Sequence, residues 1–169
     1  MFANFAASKT STMIQRIQTI YLSGVMIASI LLFFMPVARY ISDVQGTYLF
    51  FITGIKYLVA PPLTLYFWVT FPLLLLVSVS LILTLAAIFL YKNRKIQLLL
   101  VNLGFLLQIV IILLTFFYYA GHFASMVKVS QPSYQAGIFM PIASLLLLVL
   151  ASRAIRKDEA MVKSVDRLR

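Results

Sequence analysis

Few side chains in this sequence are of the types that do chemistry. His122 is the sole histidine, and cysteine is absent, which excludes thiolate nucleophiles, disulfides and thiolate-held metals. The acids are Asp43, Asp158, Glu159 and Asp166. One imidazole beside Gly121 supplies neither the several ligands of a metal site nor a paired acid and base. Nucleophile elbow, phosphate-binding glycine loop and metalloprotease helix are all missing. These residues point away from an enzyme, so no catalytic, cofactor-binding or metal-ligating residue is expected, and no cofactor.

What remains are polar side chains inside apolar runs and a cluster of basic ones at the end. Asn102 and Gln108 share one run, and Ser78, Ser80 and Thr84 lie in another. Asn102 and Gln108 are separated by about 600° of helical rotation, about 240° net, and so occupy different faces. Interhelical hydrogen bonds, about 0.6 kcal/mol each, are their simplest role. A polar path for a small transporter or channel, using Asn102, Gln108 and a kink at Pro72, is the alternative. The basic cluster, Arg153, Arg156, Lys157, Lys163 and Arg167, is the candidate contact surface for lipid or protein.

The elements that must position these groups are membrane helices. The chain is 63% hydrophobic with a mean hydropathy of +1.02, well above the soluble norm. A helix crossing the hydrocarbon core needs about 20 apolar residues. Four stretches qualify, over 17–38, 65–90, 96–119 and 136–152, which predicts an all-α integral membrane protein with a four-span domain over 1–152 and a basic tail over 153–169. The first run exceeds the 7–15 residues of a signal-peptide core and has no convincing cleavage site, so it reads as a permanent span.

Orientation follows from charge. Lys9, Arg16, Lys92, Arg94, Lys95, Arg153, Arg156, Lys157, Lys163, Arg167 and Arg169 fall on one side, against Arg39, Lys56 and Lys128 on the other. The positive-inside bias then places both termini in the cytoplasm. The same bias accounts for the net charge of +10, so no nucleic-acid partner is expected. Most tyrosines cluster towards the outer ends of the spans, where their rings anchor and pack the loops. The first external connection holds the glycine-bounded run T-Y-L-F-F-I-T, which predicts an extended segment or hairpin.

On a helical projection of the tail, Ala154, Ile155, Met161, Val162, Val165 and Leu168 share an arc of about 140°, and the five basic residues share another of about 120°. That is an amphipathic cytoplasmic helix. It can lie on an anionic leaflet, dock on a partner or fold back on the bundle, and Asp158 interrupts its apolar arc. Membrane lipids and a protein partner reached through this tail are the expected contacts, and a homo-oligomer is compatible with them.

Three segments carry a resemblance: M-I-Q-R-I-Q-T-I-Y at Met13 to Tyr21, Y-K-N-R-K at Tyr91 to Lys95, and R-A-I-R-K-D-E-A-M-V-K-S-V-D-R-L-R at the end. Together they resemble an uncharacterised family of small four-span inner-membrane proteins of Bacteroidota. The resemblance implies a multi-pass protein of the bacterial cytoplasmic membrane and transfers no activity or binding residues. The charge-free spans joined to a patterned tail predict a non-enzymatic accessory or assembly subunit acting through lipid or protein contacts. Members similar to this chain often begin at the equivalent of Met13. Under the longer start, Thr12 and Gln15 form a capping box.

Overall fold

A computed structural model describes the backbone of residues 2–42, 46–57, 67–91, 93–127 and 132–166, with side chains over 17–41, 46–56, 68–91, 93–125 and 132–161. Long apolar runs satisfy their amides in their own helical ladders, and the described residues are mostly helical. The helices are α1 (Phe2–Phe34), α2 (Phe67–Phe89), α3 (Arg94–Leu113), α4 (Ala120–Val127) and α5 (Phe139–Asp166). Among the described residues, four helical stretches are long and apolar enough to cross a membrane: Ile17–Phe34, Trp68–Phe89, Arg94–Ser125 and Ala136–Met161.

Several expected boundaries move. The first helix stops at Phe34 rather than at residue 38, because Pro36 cannot continue it and restricts the residue before it. Val37 instead donates to the Phe50 carbonyl at 2.7 Å and leads into a strand. The backbone of Thr12 lies well inside α1, which starts at Phe2, and not at the helix start that the capping box requires. The third span continues past Tyr119 through α4. Between α3 and α4 lies a π-helical turn, Leu114–Tyr119, in which the Ala120 N–H reaches back five residues to the Thr115 carbonyl. The Thr115 hydroxyl donates to the Ile111 carbonyl at 2.7 Å where the ladder changes. Pro72 lies inside α2, and one residue past the carbonyl it would have bonded, that of Val69 accepts from the Tyr119 hydroxyl at 2.8 Å. The last helix runs unbroken through Ser152 and Arg153, so the tail is its continuation.

Each helix buries one stripe. On α1 it is Gln18, Leu22, Val25, Ser29 and Leu32; on α2, Thr70, Leu73, Val77, Ser80, Thr84 and Ala87. On α3 it is Gln97, Val101, Gly104, Gln108 and Ile111; on α5, Ser144, Leu148, Ala151, Ile155 and Asp158. The spacing is three or four throughout, as an inward helix face requires. Both α1 and α3 pack on α2 and α5, giving a four-helix ring. The other faces carry Ile27, Leu75, Ile82, Leu99, Leu106 and Leu146 exposed, the arrangement a lipid-facing bundle needs.

A four-stranded antiparallel sheet covers one end. Strands β1 (Ala38–Ser42), β2 (Gly46–Phe51) and β3 (Gly54–Tyr57) form a meander, and β4 (Ser133–Tyr134) adds to β1, in the order β3-β2-β1-β4. The extended segment expected between the first two spans is therefore present, and a piece of the connection between α4 and α5 pairs with it. Tyr40 faces Tyr48 across the β1–β2 pair, and both are buried. Phe50 packs on Phe123 with ring centres 4.7 Å apart and on Tyr119 at 5.8 Å, so inward aromatics fasten the sheet to the bundle. Gly137 makes the tightest joint: its N–H donates to the Pro36 carbonyl at 2.9 Å, and a Cβ there would lie 2.5 Å from that oxygen.

Candidate functional site

At the end of the bundle opposite the sheet, the first turn of α3 brings Arg94 to the buried Asp158 of α5. The Arg94 Nη2 lies 3.2 Å from the Asp158 Oδ2, and its Nη1 donates to the Asp158 main-chain carbonyl at 3.1 Å. The carboxylate oxygen accepts no directed hydrogen bond, so charge holds it. Its position at the N-terminus of α3 adds the favourable end of the helix dipole. This explains the interruption in the apolar arc of the tail: Asp158 faces inward because its partner, far away in sequence, waits there.

Two glutamines complete this end. Gln97 donates from Nε2 to the Ala87 carbonyl of α2 at 3.1 Å, and Gln18 of α1 donates to the Ala154 carbonyl of α5 at 3.3 Å. With the ion pair, these bonds tie α1 to α5, α2 to α3 and α3 to α5. Neither Gln18 nor Gln97 is among the polar residues singled out from sequence. A signal for one of them was available: Gln97 precedes Gln108 by eleven residues, about 20° net, so both had to share a face.

Halfway along the bundle each helix contributes a buried polar side chain: Ser29, Ser80, Gln108 and Ser144. Their common height follows from register. Contacts of Arg94 with Asp158 and of Gly104 with Leu148 put Gln108 opposite Ser144, while those of Gln18 with Ala154 and Gly24 with Leu147 put Ser29 within a turn of it. Gln108 donates from Nε2 to the Ser80 Oγ at 3.2 Å, an interhelical bond between α3 and α2. Two atoms of the layer, Ser29 Oγ and Gln108 Oε1, are buried without a partner among the described residues. Ser78 and Thr84 return their hydroxyls to their own helix, on the carbonyls of Leu74 and Ser80.

Asn102 does not join Gln108. It points outward into a groove between α3 and α5 of about 230 Å³, lined by Asn102, Phe105, Leu148, Val149, Ser152, Arg153 and Arg156. The structure thus unites Asn102 with two of the five basic tail residues, which sequence reasoning had kept apart. Arg153, Arg156 and Lys157 are exposed on the same stretch of α5 that buries Ile155 and Asp158. The backbone of Lys163 lies within α5, its side chain outside the described set, and Arg167 lies outside the described residues.

His122 sits at the sheet end on α4, its ring stacked on Tyr118 at 5.4 Å. Beneath the sheet, the Tyr40 hydroxyl approaches the Ala120 carbonyl at 3.4 Å, and burial raises its pKa well above the usual phenol range. Lys56 stands over the Phe51 ring at 4.8 Å.

A family model described as Domain of unknown function (DUF4293) matches residues 14–168. No curated protein matches the chain.

Proposed function

The chain belongs to this domain-of-unknown-function family, and we propose that it is a non-enzymatic accessory or assembly subunit that acts through contacts at the basic end of α5. We place it in the cytoplasmic membrane of a bacterium, of the Bacteroidota type its motifs resemble, with both termini in the cytoplasm. One observation carries the reading: Arg153, Arg156 and Lys157 are displayed on a helix held rigidly from within by Ile155 and by the Arg94–Asp158 pair. Charged groups that only marked orientation would need no such mounting. The excess of Lys and Arg at that end supports the cytoplasmic assignment.

The test is co-purification in a mild detergent. The intact chain is compared with Arg153→Gln/Arg156→Gln/Lys157→Gln and with a truncation after Met161. Cutting after Ser152 is unsuitable, because it removes Ile155 and Asp158 from the core. A bound protein or lipid lost from the triple variant, with elution and helicity unchanged, supports the reading, and loss from the truncation as well extends the contact to residues 162–169. An unchanged set of bound species refutes it.

The partnerless Ser29 Oγ and Gln108 Oε1 favour a second reading, a small transporter or channel with its path along the bundle interior. Flux in reconstituted vesicles that Gln108→Leu abolishes without unfolding the chain would select it. Asn102, facing outward, contributes nothing to such a path.

A further inference from the structure

We propose that the groove between α3 and α5 is a binding site for one anionic glycerophospholipid of the leaflet at the basic end of the bundle. This deepens the contact reading above by naming one partner and where it sits.

The groove has three levels. Arg153 and Arg156 are exposed at its mouth, one turn apart on α5. Asn102 and Ser152 follow at its middle; by the α3–α5 register, Asn102 is level with the residue two before Ser152. Phe105, Leu148 and Val149 form the deepest part. Going inward, the lining offers cationic forks, then neutral donors and acceptors, then hydrocarbon. A phospholipid presents the complementary series of phosphate, ester carbonyls and acyl chain.

Asn102 is the second, independent observation. It lies eight residues, about 12 Å, along α3 from Arg94, exposed on a helix apolar enough to cross a membrane. Among the described residues its amide has no hydrogen-bond partner in the chain. An amide facing hydrocarbon without a partner is costly, whereas lipid ester groups at that depth satisfy it. Arginine suits the mouth because its planar fork takes phosphate oxygens two at a time. The buried carboxylate of this end, Asp158, faces inward and is held by Arg94 at 3.2 Å, whereas Arg153 and Arg156 are exposed. A free phosphate would leave Asn102 and the apolar floor unused, and an acidic peptide would leave the floor in contact with polar backbone.

Native mass spectrometry of the full-length protein in mild detergent, titrated with phosphatidylglycerol or phosphatidylcholine of identical acyl chains, decides the matter. Preference for phosphatidylglycerol is expected, falling about fivefold for each of Arg153→Gln and Arg156→Gln. Asn102→Leu weakens both lipids, and Lys95→Gln, which removes an exposed charge outside the groove, leaves the preference in place. Equal binding of the two lipids, a preference that survives the double arginine variant, or an equal loss in Lys95→Gln would each overturn the proposal. So would release of phosphatidylglycerol by inorganic phosphate alone. A protein partner retained through Lys157 in a chain with no lipid preference would sink the groove and leave the contact reading standing.

Discussion

Removing the Arg94 side chain tests whether the basic end is held as one piece. The substitution Arg94→Met keeps the aliphatic stem and deletes the fork, leaving an Asp158 side chain only 2% exposed beside no cation. Stranding one member of a buried pair costs about 3–5 kcal/mol. The Arg94 side chain is itself 24% exposed, so water screens part of the attraction. The dipole at the start of α3 also continues to favour the carboxylate, by about 0.3–1 kcal/mol. A loss of about 2–3 kcal/mol is therefore expected, a fall of about 5–10 °C in the apparent Tm at this chain length. Asp158→Asn is milder, because the main-chain carbonyl that accepts from Nη1 survives. The double variant is less damaged than the two losses combined, with a coupling of about 1–2 kcal/mol. Loss of ellipticity at 222 nm in detergent, on heating and on titration with a denaturing detergent, supplies the four corners of the cycle. Losses additive to within about 0.5 kcal/mol would show that the two groups sit together without acting together.

Two further outcomes concern the sheet end. Gly137→Ala drives a Cβ to 2.5 Å from the Pro36 carbonyl oxygen and 2.9 Å from that of Met35, which costs about 1–3 kcal/mol; Gly121→Ala meets nothing within 4 Å and is neutral or slightly stabilising in the same melts. Burial holds the Tyr40 phenol protonated in the folded chain, so its contribution is complete below the ordinary phenol pKa of about 10 and is lost as pH rises beyond it. The apparent Tm falls more steeply above pH 10 than in Tyr40→Phe, and parallel curves would refute the assignment.

The four spans were legible because membrane helices announce themselves by length and composition alone, and the first extended run because glycines bracket β-branched and aromatic residues. What escaped was non-local. Ser133 and Tyr134 make a strand only because β1 offers a free edge, and nothing in so short a stretch foretells that. Asp158 read as a flaw in an amphipathic pattern until Arg94, on another helix, gave it a reason to face inward. The π turn at Leu114–Tyr119 departs from the helical period within a run apolar at nearly every position, where the period leaves no trace. Asn102 and Gln108 were separable from sequence, because about 240° net puts them on different faces of α3; which of the two amides faces inward is set only by how α3 packs on α2 and α5.

The last helix runs unbroken for 28 residues, about 42 Å. At one end the Gly137 joint clamps its approach to the carbonyls of Met35 and Pro36, and near the other Arg94 grips it at Asp158. It therefore works as a strut with two bearings. A force along its axis is borne between the Arg94–Asp158 contact and the Gly137 joint beneath the sheet. A transverse push near Arg153 is resisted close to Asp158, whereas an axial pull travels the full length of the rod to a joint with no slack for a single methyl group.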